Sequence, residues 1–283
     1  MRLNHQISFG DSFTHVIDKL RNSYEQSAHN TYNLNTGFIE LDEKFGGFVN
    51  QSLNIIGGYP NSGKLDFCLQ ICRYMAINQN KKVVVVNLKQ PDLPNRIFRS
   101  TMEEKQQSAG GCLTDAELAE YAHNKLSSIP LEILDWSYQV IDPRSLFKQL
   151  SKVVVRTSPD VLLINDIQHI VQTVDINSNL YTEVSIISRT LFRVARVYDI
   201  CILALSKLNR RTRAFDDQRP RLFSLSDAGC LEDDATTVLL LHALREPKER
   251  TISRLEVNIA KCQYLAPNTR LQFRYNRLDS YIY

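Results

Sequence analysis

Residues 57–66 read GGYPNSGKLD, and how they are read decides the fold. Leading into them, SLNIIGG (52–58) is a continuous apolar run of strand length. Following them, LDFCLQICRYMAINQ (65–79) repeats apolar residues at helical spacing. A buried strand, a glycine-rich turn and a helix beginning at Lys64 form the geometry in which backbone N–H groups and a helix N-terminus surround phosphate oxygens. Gly58 and Gly63 stand at the two glycine positions of G-x-x-x-x-G-K, and Tyr59, Pro60, Asn61 and Ser62 make the loop between them. Lys64 is placed to reach the β- and γ-phosphates of a nucleotide. The pattern breaks at the next residue. A Ser or Thr hydroxyl normally ligates Mg²⁺ there, and Leu65 has no oxygen to offer. Asp66 cannot simply take over, because neighbours on a helix point about a hundred degrees apart. Its charge is expected to oppose phosphate binding.

Working outward, KVVVVNL (82–88), PLEILD (130–135), PDVLLIND (159–166), DICILAL (199–205), ATTVLLLHAL (235–244) and RLEVNIAK (254–261) are short apolar runs, each a candidate central strand. LTDAELAEYAHNKL (113–126) and VSIISRTLFRVARVY (184–198) carry helical periodicity. Strands covered on both faces read as near-continuous Val/Ile/Leu runs, so the expectation is an α/β fold with a doubly wound, mostly parallel sheet and helices on both faces. Within residues 11–27, Phe13, Val16, Ile17, Leu20 and Tyr24 predict a separate amphipathic helix, followed by a polar connector. The expected organisation is a helix and connector over 1–30 and one domain over 31–283.

Composition narrows the function classes without choosing one. Of 283 residues, 43% are hydrophobic and 23% charged, which suits a globular domain rather than a disordered or fibrous chain. No apolar run approaches the roughly 18–20 residues of a membrane span, and the N-terminus lacks a secretory apolar core, so a cytoplasmic protein is expected. A net charge of +3 does not demand a polyanionic partner. Six cysteines lack CxxC or Cys/His spacing and read as reduced, packed thiols.

Several blocks line up in order: Thr36-Gly37-Phe38 with Leu41-Asp42 before Gly46-Gly47, then GGYPNSGK, VVVVNLKQ (83–90), VLLINDIQHI (161–170), ALSKLNRR (204–211) and SDAGCLEDDA (226–235). Together they resemble the C-terminal motor domain of the DnaB-type replicative helicases, without that family's N-terminal domain. The resemblance implies a RecA-like P-loop NTPase fold, ATP as cofactor, single-stranded DNA as a partner and assembly into a ring. It also makes 11–27 similar to the family's linker helix, which docks on the adjacent subunit.

Carried over residue by residue, the resemblance gives a mixed site. Lys64, Asp166 at the position of the Mg²⁺-associated carboxylate, and Gln168 two residues later are retained. Lys89 stands where the family has the glutamate that activates water, and a protonated lysine cannot accept a proton. Lys207 replaces a glutamine. Lys261 matches the family's lysine, but Gln263 replaces the arginine that reaches a neighbouring subunit's γ-phosphate. An arginine finger is worth roughly 10³–10⁵ in rate and a general base about 10²–10⁴. Hydrolysis is therefore expected to be very weak or absent.

At the DNA-facing segment Gly229 is kept, Asp227 conserves an acidic position and Ser226 replaces an arginine, which removes one phosphate contact. Arg210, Arg211 and Arg213, with Lys207, Arg219 and Arg221, offer compensating charge, although Asp216 and Asp217 suit a solvated loop equally well. Weak single-strand binding is the expectation. The leading reading is a catalytically impaired paralogue that joins or regulates a helicase ring, as a homo-oligomer or in a mixed ring. Two alternatives stay open: an active, divergent ATP-dependent helicase, and a nucleotide-binding structural protein unrelated to replication.

Overall fold

The run SLNIIGG becomes a strand because neither of its faces meets water: every residue of β1 (Ser52–Gly58) is buried. Such a strand needs helices above and below it, and each Leu or Ile it buries contributes about 1.5–3 kcal/mol. The computed structural model describes residues 34–90, 92–171, 180–209, 218–225, 229–245, 251–262 and 268–283. All of them fall within one compact unit, Leu34–Tyr283. The helix expected at 11–27 lies outside the described residues, as do Arg210, Arg211, Arg213, Ser226, Asp227 and Gln263.

Chain order runs α1 (Ile39–Phe45), β1, α2 (Lys64–Asn78), β2 (Val83–Asn87), α3 (Leu93–Ser108), α4 (Asp115–Leu126), β3 (Leu131–Asp135), α5 (Leu146–Thr157), β4 (Val161–Asn165), α6 (Ile167–Val171), α7 (Leu180–Tyr198) and β5 (Cys201–Lys207). It continues with α8 (Gly229–Asp234), β6 (Thr237–Arg245), β7 (Ile252–Cys262), β8 (Thr269–Asn276) and β9 (Tyr281–Ile282). The nine described strands form one sheet in the order β3-β2-β4-β5-β1-β6-β7-β8-β9. Pairing is parallel from β3 across to β6 and antiparallel from β6 to β9. The mostly parallel sheet is thus present, and the apolar runs fall on their strands. One placement differs from expectation: PLEILD is not a central strand but β3, a half-buried strand at the sheet's edge.

Two apolar clusters, one on each face, sandwich this sheet. One packs Leu146, Leu150, Ile187 and Leu191 of α5 and α7 against β1, β4 and β5, and the other packs Phe67, Ile71 and Met75 of α2 on the opposite side. Cys68, Cys72 and Cys201 are fully buried in the second cluster and unpaired, as the spacing suggested. The TGF…LD block also has a physical role. Asp42 accepts hydrogen bonds from Thr36 N (2.7 Å), Thr36 Oγ1 (2.8 Å) and Gly37 N (3.0 Å), while Phe38 stacks on Phe67 of α2 at 5.0 Å. This clasp fixes the segment before β1 to the helix that follows the phosphate loop.

Candidate nucleotide site

At the carboxyl ends of β1, β2, β4 and β5 lies a cleft of about 660 Å³. Open parallel sheets place their ligand crevices at this end of the strands. The lining comes from the loop 60–63, from Lys64, Leu65 and Asp66 of α2, from Lys89 and Gln90 after β2, from Asn165 and Asp166 after β4, and from Lys207 and Leu208 at the end of β5. Arg96, Tyr275 and Arg277 complete it.

Close backbone packing forms the loop. A β-carbon at Gly58 would overlap the Ser62 hydroxyl, and Gly63 adopts φ +82° with its α-carbon against the Tyr275 ring, where a β-carbon would lie 2.9 Å from Cε1. Gly63 is therefore required by its backbone geometry, and Gly58 leaves room for the Ser62 hydroxyl. The buried Ser62 hydroxyl has no hydrogen-bond partner among the described residues. A tight glycine cradle, a buried orphan hydroxyl and a lysine at a helix N-terminus suit a phosphate group. Burial lowers the pKa of Lys64 below its ordinary value, with Asp166 opposing and Lys207 and Lys89 reinforcing the shift. An incoming anion would relieve the repulsion that these three ammonium groups exert on one another.

The tips of β2, β4 and β5 carry side chains of a different character. Asn87 accepts from Lys89 N (3.3 Å) and Gln90 N (3.0 Å) and donates to Gln90 O (2.7 Å), folding the turn that presents the exposed Lys89 to the cleft. Asp166 is buried, and both of its carboxylate oxygens are engaged. Oδ1 accepts from Gln168 N at 3.2 Å, and Oδ2 lies 3.3 Å from the Lys207 ammonium. That ammonium also sits 3.5 Å from His169 Nε2. Gln168 bridges to β5: its Nε2 donates to Ser206 Oγ (2.8 Å) and its Oε1 accepts from Lys207 N (2.9 Å). The glutamine matched by sequence thus clamps β5 to the end of β4, and Lys207 is carried on the clamped segment.

Asp66 behaves unlike the expectation set for it. Rather than opposing phosphate, its buried carboxylate binds Arg96 Nη1 at 2.7 Å and accepts a hydrogen bond from the Tyr275 hydroxyl. Burial, with Asp66 reinforcing it, pushes the Tyr275 phenol well above its ordinary range and keeps it a donor. Leu65, meanwhile, packs against the apolar cluster behind the loop. The residues present do not suit the Mg²⁺ of a phosphate-loop site: the hydroxyl position is apolar, and the matched carboxylate already holds an ammonium.

Of the cations read as a DNA-contact cluster, two are described in ion pairs. Lys207 holds Asp166, and Arg219 meets buried Glu256 on β7, with Nε 2.9 Å from Oε1. Gly229 begins α8 and is exposed. Lys261 turns back onto its own chain, its Nζ donating to the carbonyls of Glu232 (2.5 Å) and Asp233 (3.4 Å) in the last turn of α8, where a helix favours a cation. Among the described residues no helix is long and apolar enough to cross a membrane.

Arg96, Tyr275 and Arg277 were not foreseen from sequence. They come from α3, from β8 and from the turn just after it, whose only signals are a polar helix and a strand alternating with charged residues.

Comparison with known proteins agrees with this architecture. A solved structure described as an ATPase domain superposes with a TM-score of 0.78 at 22% identity, covering 97% of this chain and 99% of that one. A DnaB-like replicative helicase whose structure was described with its primase interactions gives 0.75 at 21%, covering 97% of this chain and 67% of that one. At these identities the likeness speaks for the RecA-like fold. The replicative helicase DnaB of Geobacillus stearothermophilus is 28% identical over 244 residues, covering 82% of this chain and 53% of that protein. DnaB of Mycoplasma genitalium is 27% identical over 261 residues, covering 86% of this chain and 54% of its own length. The chain therefore spans about half the length of these curated relatives. Residues 33–277 match the family model of the DnaB-like helicase C-terminal domain, and the chain belongs to that family.

Proposed function

We propose that this chain is a DnaB-like motor domain that binds ATP without appreciable turnover and acts as a partner or regulator of a helicase ring. One observation carries the reading. Among the described residues, the carboxylates lining the cleft are Asp66 and Asp166, and each is held in an ion pair, with Arg96 and Lys207 respectively. General-base activation of water needs a group able to take a proton within hydrogen-bond reach of it. Lys89, at the position the family gives to that base, supplies a cation instead.

Nucleotide binding itself rests on groups that remain in place: the glycine-built loop, the N-terminus of α2 and Lys64. When bound, ATP would supply a polyanion whose charge these donors meet. The chain's residues hold the phosphates and orient them, and Lys89 and Lys207 leave the attacking water without a base. Single-stranded DNA binding is proposed to be weak, because Lys207 and Arg219 are engaged by carboxylates. Ring membership, as a homo-oligomer or with an authentic helicase, is proposed on the family relationship.

The test is ATP turnover with and without single-stranded DNA, set beside Lys64→Ala. The expected result is turnover at the level of Lys64→Ala in both conditions, together with nucleotide binding that Lys64→Ala strongly weakens. DNA-stimulated turnover that disappears in Lys64→Ala would establish a working helicase motor instead.

A further inference from the structure

Phosphate-loop sites hold a nucleotide through a divalent cation, which bridges phosphate oxygens between a loop hydroxyl and a carboxylate. Here both protein contributions have been changed, and changed in a mutually consistent way. Leu65 offers no ligand and packs into the apolar cluster, while the Lys207 ammonium lies 3.3 Å from Asp166 Oδ2. The backbone of Lys207 is anchored from α6, its N–H held by Gln168 Oε1 at 2.9 Å. A lysine ammonium is a compact point charge with three donors, able to hold a carboxylate and a phosphate oxygen together.

Charge around the cleft points the same way. Asp66 is matched by Arg96 and Asp166 by Lys207, so that among the described residues of the lining Lys64, Lys89 and Arg277 remain to face a ligand. Arg277 is positioned by its Nε bond to Ser253 Oγ (3.2 Å) and by its place 5.8 Å from the Tyr275 ring centroid. A magnesium-bound triphosphate presents less negative charge than the free form, and its metal would meet the Lys207 ammonium at the same carboxylate. The metal-free polyanion meets these three cations and no such competitor.

We propose that the site takes a nucleoside triphosphate in its metal-free form, with the Lys207 ammonium standing on Asp166 where a divalent cation would otherwise bridge. This mode of binding rests on the nucleotide-binding reading above. It makes magnesium a competitor for the nucleotide rather than a requirement for binding, and it separates binding from the metal-assisted chemistry of hydrolysis.

Equilibrium titration of the full chain with fluorescent ATP tests this, in EDTA and in excess Mg²⁺, for the natural sequence, for Lys207→Gln and for Leu65→Thr combined with Lys207→Gln. The expected result is tighter affinity in EDTA than in Mg²⁺. Lys207→Gln should weaken EDTA binding by about tenfold, the worth of one charge-assisted contact. The double variant should bind better in Mg²⁺ than in EDTA, because it restores a hydroxyl and frees the carboxylate. Circular dichroism of each variant confirms folding, and binding by the natural sequence decides the matter independently of them. Equal or tighter binding by the natural sequence in Mg²⁺ overturns this proposal and leaves the nucleotide reading standing. Binding in neither condition overturns both.

Discussion

The loop and the strand tips that face it across the cleft have been treated differently. On one side, the cradle from Gly58 to Lys64 works mainly through backbone: a positive φ at Gly63 and a helix N-terminus, with room at Gly58 for the Ser62 side chain. On the other, the tips of β2, β4 and β5 work through side chains, and there Lys89 and Lys207 stand at positions where the sequence resemblance implies a glutamate and a glutamine. Backbone geometry cannot change without disturbing β1 and α2, both central to the core. Tip residues can change with little effect on packing, since Lys89 is exposed and Lys207 half-buried. Under the function proposed above, this contrast is how a phosphate site would persist without the groups for hydrolysis.

Variants can probe this contrast at several strengths. The largest effect is expected for Lys64→Ala, which should weaken ATP about 100-fold in equilibrium titration, since an ammonium contacting phosphate oxygens supplies more than one charge-assisted bond. Next comes Asp66→Ala. It leaves Arg96 and the Tyr275 hydroxyl without their buried partner, and should lower stability by about 2 kcal/mol in urea denaturation. The full cost of breaking a buried pair is discounted here because the Arg96 side chain is 31% exposed.

A smaller change is expected at the tips. Lys89→Glu should weaken ATP by about tenfold while leaving the urea midpoint unchanged, since the side chain is exposed. It should not restore turnover alone, because Leu65 and the Lys207–Asp166 pair remain. If Lys89→Glu unfolded the chain, the claim that the tips are free to vary would fail.

Remote from both regions, Thr114→Ala provides the smallest effect. Thr114 and Glu117 form a reciprocal capping box at the start of α4, and loss of the cap should cost about 1 kcal/mol. Hydrogen bonds from Thr114 hold the Glu117 carboxyl below its ordinary value of 4.5. A lowered carboxyl pKa contributes stability that is complete above the unfolded value and lost as pH falls through the folded one. The stability difference between Thr114→Ala and the natural chain should therefore shrink in acid, as paired urea titrations at neutral and acidic pH would show.

Much of this fold could be read from the sequence because its central strands are buried on both faces. VVVVN, VLLIN and CILALSK each sit in the sheet interior, and their apolar runs leave little alternative. PLEILD looks similar but is an edge strand, and nothing local distinguishes an edge from a centre when the neighbouring strand is non-local. The loop and the matched Asp166 were legible for the same reason, being tied to strand ends.

The cleft's outer wall was not legible. α3 buries Leu93, Ile97, Ser100 and Thr101 along sixteen residues and so shows only a weak apolar stripe, yet it delivers Arg96. β8 reads TRLQFRYN, a half-exposed strand whose register depends on pairing with β7, and it delivers Tyr275. Asp66 was misread because its partners lie 30 and 209 positions further along the chain. Its charge is visible locally, but the groups that neutralise it are not.

A chain that holds a triphosphate and leaves it intact should return that triphosphate unchanged. The decisive measurement is chromatographic analysis of the nucleotide recovered from the protein after prolonged incubation with ATP, in excess Mg²⁺ and single-stranded DNA. ATP is expected to be recovered unhydrolysed, with diphosphate no higher than in Lys64→Ala. Recovery of ADP and free phosphate, abolished by Lys64→Ala, would contradict it.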